Sequence, residues 1–497
     1  MSNAPPRLIV AGAAGDSGKT IVSLGLAAAW REAGLRVGAF KKGPDYIDTA
    51  WLSEASSFPA RNLDAWLMGG DGVVASFVRH HGGADICVVE GNRGLFDGLN
   101  GTSTAALAKL LGAPLLLVMD VTKVTRTAAA FVAGCRAIDP DLNLGGVILN
   151  RVAGPRHEAE VRKAIEEVTD VPVLGAIPKL PNERLLPARH LGLVPPAEHG
   201  RMSEAVRYLA QVAREKTRLD ALLKLAWTAE PSLPAPPPSS TLPAEELARA
   251  QLAAVGTAHP VAAGGGPFVR VGVFRDAAFT FYYPENLEAL EQCGAELTPI
   301  SALDERELPE IDLLYLGGGF PETHAVALSA NRSLIESVRR AVEQGLPVYA
   351  ECGGLVYLAR TVTYQGRRSE LCGVLDLDIV VEERPQGHGY AEVRVDRRNP
   401  FFPTGTMLRG HEFHYSRVVN GPEVDSFAFA VQRGQGSCEG RDGLVTHNVL
   451  ASWLHVHALG APSWAPSLVQ RAEIYARETG RAVNRSGAHF NSGGKRE

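Results

Sequence analysis

The chain has 497 residues, more than one ordinary hydrophobic core supports, so two or more domains are expected. Hydrophobic residues make up 45% and charged residues 21%, and the formal net charge is -5. That balance reads as soluble and globular and gives no basic footprint, so neither a nucleic-acid nor a membrane partner is expected.

Six cysteines (Cys87, Cys135, Cys293, Cys352, Cys372 and Cys438) lack C-x-x-C spacing, so a disulfide framework and a zinc site are both unexpected and the cytoplasm is the expected compartment. The opening MSNAPPRLIVAGAAG carries a short apolar run that leads straight into a glycine loop, and it reads as a first strand rather than a leader. The longest apolar stretch, Ala113–Met119, is too short to span a bilayer.

Buried parallel strands are predicted at Arg7–Ala13, Val37–Lys41, Asp85–Glu90, Leu115–Asp120 and Gly145–Asn150, with crossover helices between them, which is the pattern of a doubly wound α/β sheet. The first strand runs into Gly12-Ala13-Ala14-Gly15-Asp16-Ser17-Gly18-Lys19-Thr20 and then an apolar helix, Ile21–Trp30. Strand, glycine loop and helix in that order are the context of a P-loop. The small residues Gly15, Ser17 and Gly18 let backbone N–H groups turn toward phosphate oxygens at a helix N-terminus. Lys19 then bridges the terminal phosphates and the Thr20 hydroxyl ligates magnesium. Strict spacing would put the first glycine at Ala13; Gly12 stands one residue early, as in the P-loops of the dethiobiotin synthetase and MinD-like group, which the loop resembles.

Further motifs fall at strand ends, where ligands sit in open α/β sheets. These are Lys41–Asp48 (KKGPDYID), Glu90–Gly98 (EGNRGLFDG) and Asn150-Arg151. Asp45, Glu90 and Asp97 are candidate acids for a magnesium-nucleotide site. Asn150 either reads the adenine edge through its amide or caps the next helix.

Pro231–Pro243 holds six prolines in thirteen residues and reads as a linker, giving domains at 1–228 and 268–482, a Pro/Gly-rich connection at 229–267 and a disordered tail at 483–497. In the second domain, strands are predicted at Phe268–Phe274, Leu313–Leu316 and Leu346–Ala350. Glu351-Cys352-Gly353-Gly354 then places a cysteine on a tight strand-to-helix turn, an exposed nucleophile whose thiolate the helix N-terminus favours. Gly317–Gly319, with Gly318 and Gly319 beside Gly353, offers backbone N–H groups as an oxyanion hole. His455 follows a predicted strand, Leu450–Leu454, and completes a Cys–His pair able to open a carboxamide. Cys87, Cys135, Cys293 and Cys372 read as buried structural residues, and His411 and His414 (H-x-x-H) have no evident third metal ligand.

Taken together these motifs, with RNLDAW at 61–66, RDAAFTFYYPEN at 275–286, GGGFPE at 317–322, RGHEFHYS at 409–416 and ASWLHVH at 451–457, resemble the cobyrinic acid a,c-diamide synthase family over nearly the whole chain. The resemblance implies an N-terminal P-loop, dethiobiotin synthetase-like doubly wound sheet plus a C-terminal class I glutamine amidotransferase-like α/β domain. It implies an ATP-, magnesium- and L-glutamine-dependent ligase that amidates a tetrapyrrole, with Cys352 as glutaminase nucleophile and His455 as its base. Tyr46 and Ile47 fall where the family contacts the macrocycle, with Asp45 and Asp97 in the same site. Two residues are out of pattern nearby, Thr49 and Leu52, and His457 stands where class I enzymes often carry the triad glutamate, so the third triad member stays open. The ring also stays open among cobyrinate, hydrogenobyrinate, sirohydrochlorin, its nickel form and siroheme. A MinD-like ATP switch is the alternative of another class, and a homodimer is the base-rate expectation.

Overall fold

The computed structural model describes residues 2–99, 101–180, 188–189, 192–233 and 269–481. The chain divides into two compact units, Met1–Thr241 and Leu242–Glu497. Beyond residue 233 the expected linker lies outside the described residues, as does the expected tail.

In the first unit seven strands form one all-parallel sheet: β1 (Arg7–Gly12), β2 (Val37–Lys42), β3 (Arg61–Leu63), β4 (Ile86–Gly94), β5 (Leu115–Asp120), β6 (Leu144–Val152) and β7 (Val173–Pro178). Their order is β3-β2-β4-β1-β5-β6-β7. The central strands are fully buried apolar runs, Leu8–Ala11 in β1 and Leu115–Val118 in β5, as a sheet covered by helices on both faces requires. Helix α1 (Lys19–Glu32) follows β1, and α2 (Tyr46–Ala55) follows β2. The strand order reverses beside β1, so the crevice at the carboxyl ends of β1, β2 and β4 is where such a sheet binds ligands. The sequence pattern located β1, β2, β4, β5 and β6 to within a few residues. It passed over the three-residue edge strand β3 and over β7.

The second unit carries a ten-stranded mixed sheet. Its parallel part holds β8 (Val269–Phe274), β9 (Ala295–Ile300), β10 (Leu313–Leu316) and β11 (Val348–Glu351). Its antiparallel extension holds β12 (Gly387–Val395), β13 (Met407–His414), β14 (Phe427–Arg433), β15 (Arg441–Thr446), β16 (Val449–Ser452) and β17 (His455–Val456). The order is β9-β8-β10-β11-β16-β15-β14-β12-β13-β17, and β11 pairs parallel with β16. Helix α3 (Pro284–Gln292) lies between β8 and β9, and the short helix α4 (Gly353–Leu358) leaves β11 directly. Separate apolar cores cover the two sheet faces, one around Leu316, Ala350 and Trp453, the other around Tyr315, Leu450 and Trp464. The expected strand Leu450–Leu454 ends earlier, at Ser452; the chain bends at Trp453, and His455 opens the separate strand β17. Among the described residues no helix is long and apolar enough to cross a membrane.

Candidate active sites

Residues 13–18 form the loop between β1 and α1. Gly18 caps the helix at φ +97°, a left-handed conformation that disfavours side chains, and a Cβ there would stand 2.1 Å from Asn150 Nδ2. Ser17 Oγ accepts from the Ala14 N–H at 3.0 Å and donates to the Ala14 carbonyl at 2.9 Å, so the loop is closed on itself. Lys19 folds back on the same carbonyl at 3.2 Å. Burial lowers its pKa, with Lys41 adding to the effect. Asn150 Nδ2 donates to the Ser17 carbonyl at 2.9 Å. In this conformation its amide braces the loop, a third role besides the adenine contact and the helix cap that the sequence left open.

Beside the loop lies a buried charge network. Thr20 Oγ1 donates to Glu90 Oε1 at 2.8 Å, and Lys41 Nζ donates to the same oxygen at 2.7 Å and to Asp48 Oδ2 at 2.5 Å. Burial raises the Glu90 carboxyl pKa, and Lys41 is the strongest opposing influence. Burial also disfavours charge on Lys41, but Asp48 and Glu90 together outweigh it and hold the ammonium firmly protonated. Asp45 caps α2 by accepting the Asp48 N–H at 2.9 Å, and burial with Asp48 nearby raises its carboxyl pKa. Thr20 and Glu90 therefore converge as the sequence suggested, while Asp45 is engaged as a helix cap. Lys41 and Asp48 are members of the site to which sequence reasoning gave no role. Their signal was present in the motif: Lys41 is a charged residue inside a strand whose residues are all buried.

The remaining first-unit candidates lie around this edge. Asp97 Oδ2 accepts the Gly94 N–H at 2.8 Å and closes the turn after β4. Tyr46 and Ile47 open α2; Tyr46 is half-buried, whereas Ile47 is packed inside. Thr49 and Leu52 are buried as well, so these two departures from the family pattern are packing positions.

In the second unit Cys352 occupies the turn between β11 and α4 at φ +46°, ψ −95°. A side chain in so sparsely populated a region costs about 1–3 kcal/mol and persists only where the surroundings impose it. Its N–H is fixed by the Ser452 carbonyl at 2.8 Å. The expectation that the helix start favours thiolate is corrected here. Burial first, then the carboxylates of Glu322 and Glu351, push the thiol pKa well up, and the Gly353 N–H opposes them only in part. A helix of six residues is too short to reverse that balance. The nucleophile therefore needs a base.

His455 supplies an imidazole at that place. A Cβ on Gly318 would lie 2.5 Å from His455 Cε1 and 3.3 Å from Nε2, and one on Gly353 would lie 2.8 Å from the Gly319 nitrogen. The glycine loop thus fits between the histidine ring and the turn that bears the cysteine. Tyr282 holds it by accepting the Gly317 N–H at 2.8 Å, and Phe281 N–H donates to the Gly318 carbonyl at 3.0 Å. Sequence reasoning missed the supports behind His455. Asn286, fully buried in α3, donates to the Val456 carbonyl and accepts from the Ala458 N–H, both at 2.7 Å. His411 stacks on His455 with ring centres 4.8 Å apart, and burial together with His455 and His457 holds its pKa far below the usual value. His414 stacks on Trp453 at 4.1 Å and donates Nδ1–H to the Ser416 carbonyl at 2.8 Å. Both histidines of the H-x-x-H pattern therefore have packing partners. His457 faces Glu285 at 3.8 Å. Cys87, Cys135 and Cys372 are buried in apolar cores, Cys293 is partly buried and Cys438 is exposed.

The comparisons with known proteins agree with this division. Residues 8–194 match the CobQ/CobB/MinD/ParA nucleotide binding domain, and residues 270–463 match the CobB/CobQ-like glutamine amidotransferase domain. A cobyrinate a,c-diamide synthase of Magnetococcus marinus is 45% identical over 469 residues, 94% of this chain and 97% of that protein. The Archaeoglobus fulgidus protein of the same name is 36% identical over 94% of this chain and 97% of its own length. One from Listeria monocytogenes is 39% identical over 91% of this chain and 96% of its own. Matched at these identities over nearly its full length, the chain belongs to the cobyrinate a,c-diamide synthase family, whose members are glutamine-dependent amidotransferase ligases built from an ATP-binding and a glutamine-using domain.

Proposed function

We propose that this protein amidates the a and c acetate carboxylates of cobyrinate in cobalamin synthesis, activating each as an acyl phosphate with ATP and drawing ammonia from glutamine in the cytoplasm. The observation that carries the reading is the presence of both domains in one chain that is 45% identical, over 94% of its length, to a protein of that name. A carboxylate is a poor electrophile, so phosphorylation must precede attack by ammonia. The backbone of residues 15–20 wraps the nucleotide phosphates at the start of α1, and Lys19 leaves the Ala14 carbonyl to neutralise charge on the transferring phosphoryl group. Asn150 keeps the loop in register.

The donor set suits magnesium: the Thr20 hydroxyl and the Glu90 carboxylate are hard oxygen ligands already 2.8 Å apart. Magnesium, when bound there, neutralises phosphate charge. Lys41 and Asp48 fix the Glu90 carboxylate. Tyr46, at the start of α2, and Asp97, in the turn after β4, are the residues assigned to the ring in this reading.

In the second unit Cys352 attacks the glutamine carboxamide while His455 takes the thiol proton and returns it to departing ammonia. The N–H groups of Gly318, Gly319 and Gly353 hold the oxyanion. Water resolves the glutamyl thioester, and the ammonia attacks the acyl phosphate. Cys352→Ala tests the assignment: glutamine-dependent product should vanish while high ammonium still supports ATP-dependent amidation. Loss of both activities in a folded protein would contradict separable sites.

A further inference from the structure

We propose that Glu351, the residue immediately before the nucleophile, positions His455 for proton transfer, in the place where a carboxylate two residues after the histidine would otherwise act. The inference rests on the glutaminase role of Cys352 and extends it. Glu351 ends β11 with its carboxylate 1% exposed, and Oε2 stands 3.4 Å from His455 Nδ1. Oε1 accepts the Val456 N–H at 3.4 Å, so one carboxylate touches both the imidazole and the backbone that follows it. Tyr315 Oη donates to Oε2 at 3.4 Å from the neighbouring strand.

A buried carboxylate is costly unless it holds a partner. These contacts are longer than the roughly 2.7–3.2 Å of a good hydrogen bond, so Glu351 is poorly spent as a mere clamp. It is placed to bind an imidazolium more tightly than an imidazole, because the interaction strengthens as charge develops on the ring. A carboxylate at Nδ1 also selects the Nδ1–H tautomer, which makes Nε2, on the ring edge that faces Gly318, the nitrogen that accepts a proton.

The position two residues along is taken by His457, which accepts the Leu459 N–H at Nδ1 and directs Nε2 toward Glu285. The other groups facing His455 are His411, stacked on it, His414 and Tyr283, which contacts His411 at 3.2 Å. Those facing Cys352 are Glu322 and Glu412.

The test uses the full chain and two readouts that need no tetrapyrrole: glutamate release, and peptide-resolved iodoacetamide alkylation of Cys352 across pH. In Glu351→Gln, kcat for glutamine hydrolysis should fall about a hundredfold with KM nearly unchanged. The acid limb of alkylation should move to higher pH by about one unit, because the imidazolium partner of the thiolate is lost. Glu351→Asp should recover part of both effects. A carboxylate acting only as a nearby charge predicts the opposite sign, since its removal would ease thiolate formation, and a limb that moves down or stays put overturns the proposal. Should Glu351→Gln not fold, 15N-histidine spectra of the wild-type protein decide, with His455 assigned by its absence in His455→Gln. Nδ1 protonation supports the proposal and a bare Nδ1 overturns it. Glutamine hydrolysis that survives Cys352→Ala would overturn the underlying reading and this proposal with it. Hydrolysis lost in Cys352→Ala but intact in Glu351→Gln would overturn the Glu351 role alone.

Discussion

Replacing Lys41 with methionine removes a cation that touches both Glu90 and Asp48. Glu90 is 0% exposed and Lys41 2%, so this pair is insulated from solvent. Methionine keeps most of the side-chain volume, and the change is chiefly electrostatic. Breaking a buried pair by deleting one partner costs about 3–5 kcal/mol, because the remaining charge stays desolvated. At about 1.4 kcal/mol per decade, that is about two to three and a half orders of magnitude in local opening.

The pH dependence follows from linkage. In the native protein Lys41 has its pKa raised above the ordinary 10.5, so its contribution is complete below pH 10.5 and is lost as pH rises through the folded value. In the variant, Glu90 loses the influence that most lowers its pKa, and that pKa rises further above 4.5. Between pH 4.5 and that raised value the folded state then holds a proton that the unfolded state does not, so acidification stabilises the variant and narrows its deficit. Hydrogen exchange of peptides spanning β4, corrected for intrinsic rates, measures both effects. Exchange equal to wild type at neutral pH, or a deficit that widens on acidification, would refute the electrostatic argument.

Other perturbations separate the two sites. Gly318→Ala forces a methyl to within 2.5 Å of His455 Cε1, and displacing the ring by even about 1 Å should cost about a hundredfold in glutamine hydrolysis while ammonium-dependent turnover is kept. Asn286→Ala strands the buried Val456 carbonyl and Ala458 N–H; each costs about 1–3 kcal/mol, seen as earlier unfolding of the second unit by calorimetry, and glutamine kcat should fall with it. Glu412, buried beside Asp442, has its carboxyl pKa pushed up to about 7 from 4.5. The folded state therefore gains stability as pH falls from 7 toward 4.5, by about 3 kcal/mol over that span, and Glu412→Gln should flatten this rise in denaturation profiles.

What was legible in the sequence tracks how locally each feature is encoded. The parallel strands of the first unit read as continuous apolar runs because both sheet faces are covered, and the P-loop announces itself through contiguous residues. Cys352 was legible for the same reason: strand, cysteine and two glycines are adjacent in sequence. The antiparallel extension was not, since β12 mixes exposed polar residues such as His388 and Arg394 with buried apolar ones, and β14 turns polar and exposed at Gln432 and Arg433. Nor were the partners that arrive from elsewhere. Lys41 meets Glu90 across 49 positions, and Asn286 reaches Val456, the neighbour of His455 in β17, across 170. The thiol's protonation was misjudged because local sequence gives the helix start, whereas burial and Glu322 come from the fold.

The central claim concerns the acid that is activated and the source of its nitrogen. The measurement that meets it most directly mixes the full chain with ATP, magnesium and glutamine and follows ADP, glutamate and product mass over cobyrinate, hydrogenobyrinate, sirohydrochlorin, its nickel form and siroheme. The account predicts that cobyrinate stimulates ADP and glutamate release together and gains two amide groups in exchange for two hydroxyls. Coupled turnover with another ring and none with cobyrinate would contradict the substrate, and glutamate release that no ring couples to ADP would contradict the ligase reading itself.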